Sequence, residues 1–139
     1  MNTIDLFRGE HRWLSNFWLV DIYHEGYIYP SVEHAYQACK CALVIQRPLF
    51  LHGTPGEAKR LSRQYQTRED WNEVKYNIMF ELVYKKFDCT DYLREKLLAT
   101  KDTKLVEGNT WGDTYWGVCK GKGDNNLGKI LMEVRGMLL

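Results

Sequence analysis

Proline and long apolar runs are scarce in this sequence. Only three prolines occur among 139 residues, and no serine- or glycine-rich linker interrupts the chain, so we expect one domain spanning residues 1–139. No apolar stretch approaches the roughly 20 residues of a membrane-spanning helix, and the N-terminus lacks the pattern of a secretory signal. From these absences we predict a cytoplasmic protein.

Patterns that bind metals are missing as well. The four cysteines form no C-x-x-C pair, and no histidine lies at zinc-ligand spacing from them. We therefore predict no metal site and no redox cofactor, with the cysteines reduced. The formal net charge is only +1, and without a basic stripe this argues against a general nucleic-acid binder.

Aromatic residues, by contrast, are abundant. They make up 14% of the chain and include five tryptophans and nine tyrosines. Some of these rings must fill the core, and others are candidates for a pocket that receives flat ligands.

The hydrophobic pattern predicts an α+β fold, in which helices surround a small β-sheet. Two β-rich runs, Trp18–Tyr23 and Tyr27–Tyr29, flank a turn at residues 24–26, which is typical of a hairpin. Lys104–Glu107 has the composition of a further strand.

Five helices are predicted from capping signals and apolar spacing. Ser31 can cap the first helix. Its apolar stripe comprises Val32, Ala35, Tyr36, Cys39 and Leu43. Thr54–Glu57 combines a capping box with a proline at the first helical position, which is a strong start for the second helix. The other helices are expected at Thr67–Phe87, Tyr92–Ala99 and Leu127–Leu138.

Glu33 stands in the first turn of the first predicted helix, and two interpretations of it are open. A carboxylate there is favoured by the helix dipole by about 0.3–1 kcal/mol, so its role could be structural alone. Lys75, however, falls on the apolar stripe of the long helix, between Trp71 and Met79. A lysine there either extends to solvent or pairs with an anion, and Glu33 is a suitable partner.

A second concentration of chemistry lies in Leu105–Gly117, LVEGNTWGDTYWG. It contains the carboxylates of Glu107 and Asp113 and the flat rings of Trp111 and Trp116. A carboxylate beside rings suits a glycosidic reaction, because it stabilises an oxocarbenium-like transition state while the rings stack on the base. The alternative is that Asp113 caps a turn through its own backbone.

A glycine-bearing loop, Gly121–Asn126, precedes the last helix. Helix N-termini and glycine-rich loops bind phosphate through backbone N–H groups, and three lysines surround this loop. The loop lacks a P-loop or G-x-G-x-x-G pattern, however, so a solvated basic loop is the favoured interpretation.

Short motifs occur across nearly the whole chain, and the most specific is SVEHAYQACK at residues 31–40. The others are Glu10 with LSNF at residues 14–17, PGEAK at residues 55–59, Trp71 with Lys75, Met79 and KF at residues 86–87, LVE at residues 105–107, WG at residues 116–117, and NLG at residues 126–128 with Met132, Val134 and Arg135. In identity and in order, these motifs resemble those of the NADAR family.

The resemblance implies an α+β domain that hydrolyses an N-glycosidic bond in a ribosyl-phosphate or ADP-ribose-like compound. The implied substrates are early riboflavin-pathway intermediates and ADP-ribosyl groups on guanine in nucleic acid; no membrane partner is implied. Functional roles carry over to Glu33, Asp113 and Trp116. Many members have a longer stretch where this chain has residues 118–125, a difference that bears on substrate choice.

Together, the residues and the resemblance predict that Glu33 and Asp113 are catalytic. One stabilises developing charge and activates water, and the other orients the substrate or protonates the leaving base. Lys75, also assigned to catalysis, tunes Glu33 or holds phosphate together with Lys40. We expect Glu33, Lys75, Asp113 and Trp116 to share one pocket. The predicted substrate-binding residues are Asn16, Phe17, Tyr36, Lys40, Trp71, Glu107, Trp111, Trp116 and Asn126.

A competing hypothesis is a non-catalytic module that recognises ADP-ribose or a nucleotide. Such a module would keep the stacking rings and the phosphate contacts, but it would not need Glu33.

Overall fold

The computed structural model describes residues 2–139. The strands are β1 (Thr3–Ile4), β2 (Ile22–His24), β3 (Tyr27–Tyr29), β4 (Lys104–Leu105), β5 (Gly108–Asn109) and β6 (Val118–Cys119). The α-helices are α1 (Val32–Lys40), α2 (Pro55–Leu61), α3 (Trp71–Asp88), α4 (Asp91–Ala99) and α5 (Asn126–Met137), and 3₁₀ helices occur at Gly9–Leu14, Val44–Phe50 and Ser62–Gln64. The predicted α+β class is confirmed.

The chain groups into two compact units. Asn16–Lys86 form the middle unit, and residues 2–15 together with Phe87–Leu139 form the terminal unit. Across residues 2–139 the strands form three two-stranded sheets instead of the one small sheet predicted. The prediction of a single domain stays a prediction.

The middle unit contains the predicted hairpin, in which β2 and β3 pair antiparallel. The turn residues Glu25 and Gly26 have φ angles of 46° and 93°, the conformation whose twist matches that of two paired strands. The first strand is shorter than predicted, since it begins at Ile22. Val20 still donates to the Pro30 carbonyl, but proline has no N–H to return the bond, so the ladder stops there.

Helix α1 begins where the sequence predicts. The Ser31 hydroxyl accepts a hydrogen bond from the His34 N–H at 3.2 Å, which is the usual N-cap contact. The prediction of Leu43 on the α1 stripe is wrong, because the helix ends at Lys40 and Leu43 is exposed. The reason is non-local: the Ala42 N–H donates to the Gln66 carbonyl, which draws the chain into extended pairing.

The imidazole of His34 is buried in a single tautomer. Its Nε2 lies 2.9 Å from the Gly53 carbonyl oxygen, which can only accept, so Nε2 carries the proton. Nδ1 therefore accepts from the Ser31 hydroxyl at 2.7 Å. Burial lowers the pKa of His34 below its usual value, and the ring is neutral.

Helix α2 has the complete capping box that the sequence predicts. The Thr54 hydroxyl accepts from the Glu57 N–H at 3.1 Å, and the Glu57 carboxylate accepts from the Thr54 N–H at 2.9 Å. Two of the otherwise unpaired donors at the helix start are thus satisfied locally.

Helix α3 begins at Trp71 and not at Thr67 as predicted. The Arg68 N–H donates to the Lys40 carbonyl at 3.0 Å, and the Arg68 guanidinium forms two hydrogen bonds with Asp70. These contacts hold the segment before Trp71 outside the helix, although its composition is compatible with one.

The terminal unit contains two parallel strand pairs, β1 with β4 and β5 with β6. Helix α5 packs against β4 and buries the apolar face that its sequence predicts. Trp13 contacts Phe87 edge to face, with 6.2 Å between ring centroids.

Asn125 connects the start of α5 to the backbone that follows β4. Its Oδ1 accepts from the Glu107 N–H at 2.9 Å, and its Nδ2 donates to the Leu105 carbonyl at 3.0 Å. The residue is buried, with φ at 53° in the left-handed region that asparagine tolerates. The absence of a side chain at Gly128 lets α5 lie this close to β4, because a Cβ at residue 128 would clash with the Leu105 carbonyl oxygen at 2.1 Å.

Replacing Asn125 by alanine should therefore destabilise the chain. The buried Leu105 carbonyl loses its partner, at about 1–3 kcal/mol, and the half-buried Glu107 N–H loses its partner at a smaller cost. Urea denaturation measures the change in the free energy of unfolding. Asn72→Ala, at an exposed position of α3, is the control and should change it by less than about 0.5 kcal/mol. Equal stability of the two variants would contradict the role of Asn125.

Lowering the pH below about 6.5 should reduce the free energy of unfolding through His34. The unfolded histidine binds a proton that the buried neutral ring resists, so stability is lost as pH falls towards the lowered pKa of the folded state. Long-range ¹H–¹⁵N NMR should show the Nε2–H tautomer and a pKa below the usual value. A His34 ring that is protonated at neutral pH would overturn this assignment.

Candidate active site

Glu33 is buried at the start of α1. The residue is 8% exposed, and its N–H donates to the Asn16 carbonyl at 3.1 Å. Its Oε2 accepts a hydrogen bond from Nε2 of Gln37 at 3.0 Å, one helical turn further along the same face. The carboxylate is therefore oriented by a donor and lies at the helix end where the dipole favours negative charge.

Other predicted residues of the middle unit lie around this helix start. Asn16 Nδ2 is 3.4 Å from Met79 Sδ, and the rings of Tyr36 and Trp71 pack with 4.9 Å between centroids. Lys75 is half-buried and falls between Trp71 and Met79 on one face of α3. Trp71 contacts Tyr36 of α1, and Met79 contacts Asn16, whose carbonyl accepts from the Glu33 N–H, so Lys75 lies on the face of α3 that these two contacts share.

Phe17 and Lys40 complete the predicted set in this unit. Phe17 is exposed, and Lys40 is half-buried in the last turn of α1. Lys40 lies seven positions after Glu33 in the helix, about 10 Å along the axis. That spacing favours a contact between Lys40 and a more distant substrate group, such as a phosphate, over direct tuning of the carboxylate.

Asp113, in the terminal unit, uses one carboxylate oxygen for structure. Its Oδ1 accepts from the N–H groups of Tyr115 at 3.1 Å and Trp116 at 2.9 Å, so the turn-capping alternative is realised. Asn109 holds the Asp113 backbone through bonds of 3.0 and 2.8 Å. Within residues 2–139, Oδ2 of this half-buried side chain makes no hydrogen bond and is available to a ligand.

The predicted aromatic residues of this segment differ in exposure. Trp116 is half-buried and meets Tyr115 edge to face at 4.7 Å. Trp111 is 56% exposed, and the Arg8 guanidinium lies 5.8 Å from its ring centroid. Trp111 thus presents a flat surface to solvent, whereas Trp116 is fixed beside the aspartate turn.

Glu107 lies close to Gly117. A Cβ at Gly117 would lie 3.0 Å from Glu107 Oε2 and 2.2 Å from the Glu107 carbonyl oxygen. Any side chain at residue 117 would clash with the Glu107 carbonyl oxygen, so glycine is needed for the backbone beside Trp116 to lie this close to Glu107.

The start of α5 is occupied by protein acceptors. The N–H groups of Asn126 and Leu127 donate to the Tyr115 and Trp116 carbonyls at 3.2 and 3.0 Å. The preceding loop turns at Lys120 and Gly121, where φ is positive, and its lysines are exposed. These contacts support the solvated-loop interpretation over phosphate binding by the helix end.

A polar cluster that the sequence analysis did not predict lies beside the hairpin. His24 Nδ1 is 2.8 Å from the Lys85 ammonium and 2.9 Å from the Glu81 carboxylate, and Arg47 pairs with Glu25. Burial and the Lys85 charge lower the pKa of His24. A cavity of about 200 Å³ is lined by His24, Glu25, Arg47 and Glu81 of this cluster, but the charges of the cluster are paired with one another, so we assign it a structural role.

Gln37 was also absent from the predicted site. The available signal was its spacing, since a carboxamide four residues after a carboxylate lies on the same helix face.

Among the described residues, no group of three or more His, Cys, Asp or Glu side chains is arranged to hold a metal ion. Across the same part of the chain, no helix is both long enough and apolar enough to cross a membrane.

The shared pocket stays a prediction. Glu33 and Lys75 belong to the middle unit, whereas Asp113 and Trp116 belong to the terminal unit. Each unit therefore contains one predicted carboxylate that hydrogen bonds orient, Glu33 in the middle unit and Asp113 in the terminal unit.

Comparisons with known proteins agree on one family. The NADAR domain model matches residues 6–139. The chain is 44% identical over 130 residues to an N-glycosidase of Nostoc punctiforme, covering 87% of this chain and 81% of that protein. It is 40% identical over 129 residues to a riboflavin biosynthesis protein of Vibrio vulnificus, covering 90% of this chain but only 35% of that longer protein.

A solved structure shows the same fold. The NMR structure of Escherichia coli YbiA aligns with a TM-score of 0.87 at 35% identity, covering 99% of this chain and 84% of that one. The E. coli protein carries the name N-glycosidase YbiA. The family-model match over nearly the whole sequence, together with these relatives, shows that this chain belongs to the NADAR family.

Proposed function

We propose that this chain is an N-glycosidase that hydrolyses the bond between ribose C1′ and a base nitrogen. The observation that carries the proposal is Glu33, a buried carboxylate that Gln37 orients at a helix start. The names of the Nostoc and E. coli relatives support the reaction class, since the chain spans 81% and 79% of those proteins.

The reaction has few chemical requirements. As the C1′–N bond breaks, its electron pair moves to the base nitrogen and positive charge develops on the sugar. A carboxylate stabilises that charge and takes a proton from water as the water oxygen bonds to C1′. A proton reaches the leaving nitrogen, and the products are the free base and a ribose with a C1′ hydroxyl.

The two carboxylates have different environments that suit these roles. Glu33 is buried and held by a neutral donor, whereas Asp113 is half-buried with Oδ1 bonded to backbone. We assign charge stabilisation and water activation to Glu33, and orientation of the substrate or protonation of the base to Asp113 through Oδ2. Lys75 and Lys40 supply positive charge for a phosphate group.

The proposed substrate is a small ribosyl phosphate joined to a nitrogen base. The name of the Vibrio relative favours an intermediate of riboflavin biosynthesis, such as a ribosylamino-pyrimidine phosphate. An ADP-ribosyl group on guanine, free or in nucleic acid, has the same bond type and is the second candidate. A cytoplasmic location is part of the proposal.

One assay separates hydrolysis from simple recognition. The protein is incubated with the pyrimidine ribosyl phosphate or with an ADP-ribosylated guanosine oligonucleotide, and products are followed by mass spectrometry. Release of the base with a free sugar hydroxyl is expected for one of them. A ligand that stays bound and intact would support the non-catalytic module instead.

Glu33→Gln should abolish most activity while keeping the fold. The introduced amide oxygen can still accept from Gln37, but a neutral amide cannot take a proton or balance a forming cation. The rate should fall by about two to four powers of ten, with a melting temperature within a few degrees of wild type. Steady-state kinetics and thermal unfolding are measured on one preparation.

Glu73→Gln is the matched control, because Glu73 is exposed in the first turn of α3. It should leave the rate unchanged. A folded Glu33→Gln enzyme that turns over at the wild-type rate would show that Glu33 is only a helix-start residue.

Asp113→Asn should separate the two functions of this side chain. The asparagine oxygen can still accept from the Tyr115 and Trp116 N–H groups, so the turn and the melting temperature should be kept. The rate should fall by about 10²-fold or more if the carboxylate acts on the substrate. Asp113→Ala should lose both stability and rate, and full activity in Asp113→Asn would limit Asp113 to capping the turn.

A further inference from the structure

Gln37 leaves half of its carboxamide without a partner. Its Nε2 donates to Glu33 at 3.0 Å, whereas its Oε1 is buried and makes no hydrogen bond within the described chain. The residue as a whole is 6% exposed. An unpaired buried carbonyl is destabilising, because it gives up its hydrogen bonds to water and receives none in return.

The unpaired Oε1 of Gln37 offsets part of the stability that its bond to Glu33 provides. Methionine is a strong helix former of similar length, it adapts its shape to the space available, and it would remove the unpaired Oε1. Methionine cannot donate a hydrogen bond to Glu33. The donor is therefore the property that distinguishes glutamine here.

We propose that Gln37 is a positioning residue that holds the Glu33 carboxylate in one rotamer and in its ionised form. The inference rests on the N-glycosidase function proposed above. A hydrogen bond to the charged form of a carboxyl group favours ionisation, and a fixed rotamer keeps a catalytic oxygen near the reacting carbon. The unpaired Oε1 is the structural consequence of directing Nε2 at Glu33.

The chain offers a matched control in Gln46, which lies in the 3₁₀ helix Val44–Phe50. Its Oε1 is likewise buried and makes no hydrogen bond to any residue in the range 2–139. Gln46→Met therefore makes the same chemical change as Gln37→Met at a residue that makes no hydrogen bond to Glu33.

Gln46→Met should keep or raise the melting temperature, whereas in Gln37→Met the loss of the donor to Glu33 offsets the gain from removing Oε1, so its melting temperature should stay within a few degrees of wild type. Only Gln37→Met should lower kcat, by about tenfold to a hundredfold, with a smaller effect on KM. It should also move the acid limb of the pH–rate profile upwards by about one pH unit, because the ionised form of Glu33 has lost a donor. A role in packing alone would not move that limb.

Gln37→Glu is the second variant, and it preserves the length of the side chain. A second carboxylate beside Glu33 disfavours the ionised pair, so the acid limb should again move upwards. Wild-type kcat and an unchanged acid limb in both Gln37 variants would overturn the inference, as would equal losses of kcat in Gln37→Met and Gln46→Met.

A titration that needs no turnover separates this inference from the proposed function. The ¹³C resonance of the Glu33 carboxyl group, assigned with Glu33→Gln, is followed against pH in wild type and Gln37→Met. Its midpoint should rise in the variant whether or not a substrate is cleaved. An inactive wild type would then refute the reaction, whereas an unchanged midpoint would refute the role of Gln37.

Discussion

A carboxylate that is removed from water must be given hydrogen-bond donors, and the candidate site depends on how helix α1 meets that requirement. The donors of the first helical turn are assigned to specific acceptors: the Glu33 N–H to Asn16, and the His34 N–H to Ser31. The Glu33 side chain then receives its donor from Gln37 within the same helix. The orientation of the carboxylate therefore follows from the position at which α1 begins, and that position is set by its N-cap.

Elements with local signals could be predicted from the sequence. The Ser31 cap, the Thr54 capping box and the Glu25–Gly26 turn each satisfy backbone groups with neighbouring residues, so a short window contains the information. Element ends that depend on distant partners could not be predicted in this way. The end of α1 is set by Gln66 and the segment before α3 by Lys40, both far away in sequence.

The candidate site shows the same division between local and non-local information. The position of Glu33 in the first turn of α1 could be predicted because the cap and the motif are visible in the sequence, whereas its catalytic role stays a prediction. The two interpretations of Asp113 could not be separated there, and the structure shows that they are compatible, since a carboxylate has two oxygens and the turn occupies only Oδ1. The role of Asn125 depends on Leu105 and Glu107, about twenty residues earlier, and no local pattern indicates it.

The loop before α5 is fixed at both ends while its turn at Lys120 and Gly121 is exposed. On the helix side, Asn125 is bonded to the backbone near β4, and Asn126 is bonded to the Tyr115 carbonyl. Residues inserted at an exposed turn disturb none of these anchors, because the added backbone can be hydrated by water. Evolution can therefore lengthen the family's chain at this point and vary the surface near the aspartate turn, while the scaffold that carries the carboxylates keeps its geometry.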